Sequence, residues 1–224
     1  MKLVLSCEHF DNKLPNRFED LFGTDKTIRT SHRAYDIGAA LLFESLIPLS
    51  DHHFSYAYSR LLIEPNRSLH HPRLFSEYSR NFGSDEKKEL IEKYYTPYRH
   101  RVEDCISQII ETSNSVVHLS IHSFTAHFNR EERNAEIGIL YDPSRDSEKE
   151  FARRFKRAIM RSAPTMKVRY NYPYLGKADG FTTHLRKSFP KKYSGIELEV
   201  RNDVISSATC QSIQQALKQV KSEL

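Results

Sequence analysis

Val116-Val117-His118-Leu119-Ser120-Ile121-His122-Ser123-Phe124 is the stretch on which the fold reading turns. It begins as a run of β-branched and aliphatic residues and breaks into polar ones at Ile121-His122-Ser123. That is the pattern of a buried strand whose carboxyl end opens into a loop. Ligands of open α/β sheets collect at the carboxyl ends of strands. His122 therefore stands where a metal ligand or a catalytic base would stand, although a capping or core histidine would occupy the same place.

Working outward, residues 84–110 read as a long helix with apolar positions at Leu90, Ile91, Tyr94 and Tyr95, a kink at Pro97, and a second apolar series at Val102, Ile106, Ile109 and Ile110. Residues 124–134 read as a polar loop, 135–141 as a strand, and 144–161 as a charged amphipathic helix. Residues 168–170 and 195–200 read as strands, and 206–220 as a closing helix. Towards the amino terminus, residues 2–6 read as a buried strand, 15–22 as a short helix or turn closed by Gly23, 36–42 as a helix that stops before Pro48, and 54–63 as a strand. Residues 69–82, rich in His, Pro, Arg and Ser, read as a long loop of the kind that is usually functional or disordered. Strands alternate with helices throughout, without repeat or linker. The expected fold is α/β, a three-layer sandwich in which a mostly parallel mixed sheet is covered on both faces, as one domain over residues 1–224.

A chain of 224 residues with 38% hydrophobic residues can bury a sizeable core, and no apolar run has membrane-spanning length. The first ten residues lack the apolar core and cleavage site of a signal peptide, so strand one of a cytoplasmic protein is expected. Three cysteines without paired spacing argue against a disulfide framework and against a cysteine-based zinc site. The net charge of +5 is spread among acidic residues without a dense basic stripe, so nucleic acid is not the expected partner. A small anionic substrate accounts for the same excess. Eleven histidines make a metal or acid–base site worth seeking.

Five polar clusters fall at strand ends or in the loops after them: Glu8-His9 with Asn12; His32 with Asp36; Arg60 with Asn66-Arg67; His122-Ser123; and Glu197 with Glu199. Each has an ordinary explanation, Asp36 as a helix cap and Arg67 as a solvated charge. Glu197 and Glu199 share one face of an otherwise aliphatic strand, so they must be exposed, paired or functional. Together the clusters suit a hydrolytic zinc site. Catalytic zinc takes three protein ligands and leaves a position for water, a nearby carboxylate moves the proton, and an arginine holds a substrate carboxylate through its fork of donors.

The runs SCEHFDNKLP, SHRAYDIGA, SRLLIEPNRS, YYTPYR, LSIHSF, IGILYDPSR, NYPYLGKADG and GIELEV, in that order from Leu3 to Val200, resemble the N-formylglutamate amidohydrolase family. That family is in turn similar to the zinc carboxypeptidase and aspartoacylase fold. The resemblance implies a zinc-dependent amidohydrolase of N-formyl or N-acyl amino acids, with His9 and His122 as metal ligands and Glu199, rather than Glu197, as general base. Arg60, Asn66, Arg67 and Ser123 are the implied substrate-binding residues. The chain departs from the pattern at Asn12, where the fold's second ligand is a glutamate; Asp36, Glu8 and His32 are the candidates for that place, Asp36 being favoured. A carboxypeptidase-like or cell-wall peptide amidase is the alternative enzyme, and a basic nucleic-acid-binding module the alternative outside enzymes.

Overall fold

A computed structural model of the protein describes residues 1–23, 26–112, 115–129 and 131–223. In chain order its elements are β1 (Lys2–Cys7), α1 (Ala39–Leu46), β2 (His52–Ser55), α2 (Ser84–Leu90), α3 (Thr96–Glu111), β3 (Val116–Phe124), β4 (His127–Phe128), β5 (Glu131–Glu132), β6 (Ile137–Leu140), α4 (Asp146–Ser162), β7 (Val168–Tyr170), α5 (Phe181–Ser188), β8 (Tyr193–Arg201) and α6 (Ser207–Ser222).

Six strands form one sheet in the order β2-β1-β3-β8-β6-β7. All neighbours run parallel except β6 against β8. One face carries Leu3, Leu5, Val117, Leu119, Ile121, Ile196 and Leu198, packed against the apolar stripes of α1, α4 and α6. These stripes follow the helical period, as in Phe151, Ala152, Phe155, Ala158 and Ile159 of α4. On the other face Val4, Val116 and Tyr193 pack against Val102 and Ile106 of α3 and Phe181 and Leu185 of α5. The result is the three-layer α/β sandwich expected from the alternation of strands and helices.

Three local readings differ. The strand expected over residues 54–63 ends at Ser55. Beyond Tyr56 the backbone leaves the sheet, bridges Lys13 at Tyr58, and buries Leu61, Leu62 and Ile63 against Phe18, Leu74 and Leu90. The helix before Pro97 passes through a π turn at Ile91–Tyr95. The expected loop at 124–134 contains the short β4–β5 hairpin.

Asp51 ties the sheet edge to α6. It accepts hydrogen bonds from the Lys2 ammonium and the Leu3 amide, both at 2.9 Å, and lies 3.3 Å from the Lys221 ammonium. Burial raises its carboxyl, but these donors together outweigh it and hold the pKa down at about 2. A carboxyl whose folded pKa lies below its unfolded value stabilises above the unfolded value and loses that contribution as pH falls through the folded one. Allowing for solvent screening, Asp51→Asn should cost about 1 kcal/mol at pH 7, and the difference should vanish near pH 2, as read by urea unfolding at both pH values.

Candidate metal centre

Three segments far apart in sequence meet at the carboxyl edge of the sheet. Glu8 and His9 follow β1, Asp36 lies in the turn before α1, and His122 lies near the end of β3. β1 and β3 are parallel neighbours, so their carboxyl ends fall side by side. The Asp36 amide donates to the His9 carbonyl at 3.0 Å, which fastens the turn to the end of β1. Gly38 makes that turn possible: its φ is 86°, in the left-handed region, and a Cβ there would come within 2.9 Å of Ile205.

His9, Asp36 and His122 are all buried and present their donor atoms to one point. His9 Nδ1 is 3.2 Å from Asp36 Oδ2, His122 Nδ1 is 3.1 Å from the same oxygen, and the two nitrogens are 3.2 Å apart. Ligands about 2.0–2.1 Å from a tetrahedral metal are separated by about 3.3 Å, so the triangle has the dimensions of three corners of such a shell. Two imidazole nitrogens and a carboxylate oxygen suit a divalent metal such as zinc.

Each imidazole is also held from behind. His9 Nε2 donates to Glu64 Oε1 at 2.6 Å. His122 Nε2 lies 2.8 Å from the Ser120 hydroxyl and 3.3 Å from Glu8 Oε2. With a metal bound, these partners would take the Nε2 protons and leave both Nδ1 lone pairs to the centre, as outer carboxylates do for metal-ligating histidines. Glu8 is fixed in turn by the hydroxyls of Tyr98, at 2.9 Å, and Ser120. Burial alone would raise the Glu8 carboxyl, but the hydrogen bond and charge of His122 hold it well below the carboxylate range. Burial likewise opposes ionisation of Glu64, whose neighbours His9 and Arg60 bring it down to about 2.

Glu199 stands opposite His122 in the β3–β8 register. It is 5% exposed, and its Oε2 is buried with no hydrogen-bond partner among the described residues. Burial, opposed by His122 and reinforced by Asp36 and Glu197, pushes its pKa up to about 7. Across β8, Gly138 keeps this region narrow: a Cβ there would overlap the Tyr172 carbonyl and touch Glu199 Cβ at 3.3 Å. Glu197 instead accepts a hydrogen bond from the Thr182 hydroxyl at 2.6 Å.

The expected substrate contacts divide. Arg60 NH1 lies 2.8 Å from Asp36 Oδ1 and 3.1 Å from His9 Nδ1, at the edge of the triangle. Asn66 accepts the Phe181 amide at 2.7 Å with its side-chain oxygen, and Arg67 donates to the Asp179 carbonyl. The backbone of this segment is clamped by Arg99, at 2.9 Å from the Pro65 carbonyl, and by Tyr95, at 2.7 Å from the Arg67 carbonyl. Ser123 departs from the expected substrate contact. Its hydroxyl is buried and donates to the Ile37 carbonyl at 2.7 Å, while its amide, 3.2 Å from Asp36 Oδ2, steadies that carboxylate. The reason is that β3 does not open at His122; it continues, fully buried, to Phe124. Of the other candidates for the second ligand, Glu8 stands behind His122, and His32 Nε2 is 3.7 Å from the outer oxygen of Asp36.

Several participants escape a linear reading. Glu64 sits in a stretch without a strand or helix pattern that would aim it, and Tyr98 and Arg99 lie on α3, whose apolar period does not tell that its polar side chains reach Glu8 and the Pro65 carbonyl. Ser120 was legible: His118, Ser120 and His122 alternate with Leu119 and Ile121, which puts all three on one sheet face. A cavity of about 310 Å³ lies at the amino ends of β3 and β8, the length of the strands away from His122 and Glu199.

A family model described as N-formylglutamate amidohydrolase matches residues 1–206. No curated protein matches the chain. Among solved structures, the gene product Atu2144 from Agrobacterium tumefaciens is similar at 25% identity and a TM-score of 0.80, over 99% of this chain and 91% of that one. N-formylglutamate amidohydrolase from Ralstonia eutropha JMP134 shares the fold at 16% identity and a TM-score of 0.70, over 99% of this chain and 92% of that one.

Proposed function

Because the chain belongs to the N-formylglutamate amidohydrolase family, and is on that ground an amide-bond hydrolase, we propose that it cleaves the amide of a small anionic N-formyl or N-acyl amino acid with a zinc ion held by His9, Asp36 and His122. The observation that carries this reading is the buried donor triangle with the partnerless Glu199 oxygen in register beside His122. No helix among the described residues is long and apolar enough to cross a membrane, and the cytoplasm remains the expected compartment.

When bound, the metal supplies Lewis acidity to the scissile carbonyl and acidifies water. The protein's own residues do the rest. Glu199 takes a proton from the attacking water and returns it to the leaving nitrogen, a task suited to a carboxyl with a pKa of about 7. Arg67, aimed by the Asp179 carbonyl, presents its fork to the substrate carboxylate beside Asn66. Arg60 now donates to His9 Nδ1, a nitrogen that cannot serve Arg60 and a cation together. With a metal in the triangle, Arg60 would lose His9 but stay anchored by the carboxylates of Asp36 and Glu64 at the edge of the site, where a substrate can meet it.

The test is a screen of N-formyl and N-acetyl amino acids with the purified protein after chelation and after zinc addition. Zinc-dependent release of formate from N-formylglutamate is the expected result. Turnover that is indifferent to chelation, or absent for every N-acyl amino acid, would overturn the proposal. A second prediction concerns Glu8. Glu8→Gln should weaken metal binding by roughly 10- to 100-fold, the usual cost of losing an outer carboxylate, as read by chelator competition. Unchanged affinity would remove Glu8 from the site.

A further inference from the structure

Three arginines are buried among the described residues. Arg186 faces the Glu148 carboxylate at 2.8 Å. Arg99 lies over the Tyr95 and Phe181 rings, at 5.0 and 4.2 Å, with its NH1 on the carbonyls of Pro65 and Arg67. Arg133, 8% exposed, differs from Arg186 in facing no carboxylate and from Arg99 in lying beneath solvent-exposed rings. Among the described residues it meets no carboxylate, its NH1 is 3.5 Å from the Thr125 carbonyl, and its NH2 donates to the Tyr174 hydroxyl at 3.0 Å. Its charge lies against three rings, with centroids at 4.7 Å for Phe128, 5.1 Å for Tyr174 and 5.6 Å for Phe124. Rings favour a cation, but they do not satisfy a fork of five donors. Buried charges are ordinarily paired.

The strand geometry puts this guanidinium beside the metal centre. Phe124, on which it stacks, follows His122 by two residues on the same face of β3, about 6.6 Å along the strand. Tyr174, to which it donates, lies in the segment after β7 that passes over Glu199 at Gly138. Two of the covering rings are half in solvent, Phe128 at 55% and Tyr174 at 47% exposure. Rotamer changes of exposed side chains are fast, so these rings can open the guanidinium to a ligand.

We infer that Arg133 is a specificity residue: it receives a second carboxylate, that of the substrate's side chain, while Arg67 and Asn66 hold the one next to the amide nitrogen. The assignment rests on the amidohydrolase reading and deepens it, because it selects N-acyl derivatives of acidic amino acids over neutral ones. A guanidinium receives a carboxylate by two parallel hydrogen bonds, and the low-dielectric surroundings strengthen the pair. Among the described residues no carboxylate lies within ion-pair distance of Arg133 to compete for it.

The experiment compares N-formyl-L-glutamate with its neutral isostere N-formyl-L-glutamine in the wild type, Arg133→Gln and Arg133→Lys. The ratio of kcat/KM for the two substrates should fall at least about 30-fold in Arg133→Gln, the cost of truncating a buried charge pair. It should fall less in Arg133→Lys, which keeps the charge but loses the fork. A ratio that stays within about threefold of wild type in both variants overturns the assignment. If Arg133→Gln does not fold, as judged by its melting curve, Arg133→Lys decides by the same ratio. If the wild type hydrolyses no N-formyl amino acid, the amidohydrolase reading fails on its own, and Arg133 is judged by calorimetric binding of L-glutamate against L-glutamine. A wild-type preference for glutamate that the variants lose upholds the site. Equal affinities in the wild type, or a preference the variants keep, overturns it.

Discussion

Glu199→Gln is expected to lower kcat by roughly 100- to 10,000-fold while leaving metal content intact. The substitution keeps the shape of the side chain and removes the proton acceptor. Glu197→Gln should cost far less, since Glu197 is engaged by the Thr182 hydroxyl and not left with a buried partnerless oxygen. Near-normal turnover in Glu199→Gln, with loss in Glu197→Gln, would reverse the assignment. Stability gives an independent check. A carboxyl whose pKa rises on folding, here to about 7, opposes folding progressively as pH climbs from its unfolded value through the folded one. In metal-free protein, Glu199→Gln should therefore gain melting temperature relative to wild type between pH 4.5 and pH 8.

His122→Ala is expected to abolish measurable metal binding and activity together. It removes one corner of the triangle, and the loss in affinity should exceed the roughly 100-fold upper cost of an outer-shell change. It also leaves Glu8 buried and negative without its main partner, and breaking a buried pair by removing one member costs about 3–5 kcal/mol. The variant should melt well below wild type even without metal, and Glu8→Gln in the same chain should recover part of that loss. His118, on the same strand face, is the contrast. It bridges the Tyr193 and Ser6 hydroxyls at 2.8 and 2.7 Å, and burial drives its pKa down to about 4, so it stays neutral. His118→Asn should disturb packing without emptying the metal site. Wild-type metal affinity in His122→Ala would remove the centre altogether.

The layer order and the mixed sheet could be read from the chain because buried parallel strands are aliphatic runs and their crossover helices carry one apolar stripe. Val116–Phe124 and Gly195–Val200 signal both the strands and the ends at which ligands collect. His9 and His122 could be proposed because each closes or follows such a strand, and Asp36 because the resemblance asks for a second ligand near this helix start. Residues 54–63 misled because Leu61, Leu62 and Ile63 have the same aliphatic signature, yet they pack on Phe18 and Leu90 beside the sheet rather than in it. Ser123 misled for a related reason: a serine before a phenylalanine looks like a loop, while the long partner β8 keeps β3 paired through Phe124. Arg133 and Glu64 were hidden because irregular backbone aims their side chains, and no periodicity encodes that direction.

The two histidines of the triangle are 113 residues apart in the chain, and no local turn brings them together. They meet only when β1 pairs with β3, a parallel pairing that must close a loop of that length before any contact offsets the lost chain entropy. On the ribosome, β1 can pair with β2 early, but its other edge, along Leu3, Val4 and Leu5, stays unpaired until β3 has emerged. The triangle thus closes only once residue 122 of 224 is in place. A chain cut short before residue 116 keeps His9 and Asp36 but has no place to put a metal, so a complete triangle reports that the central pairing of the sheet has formed.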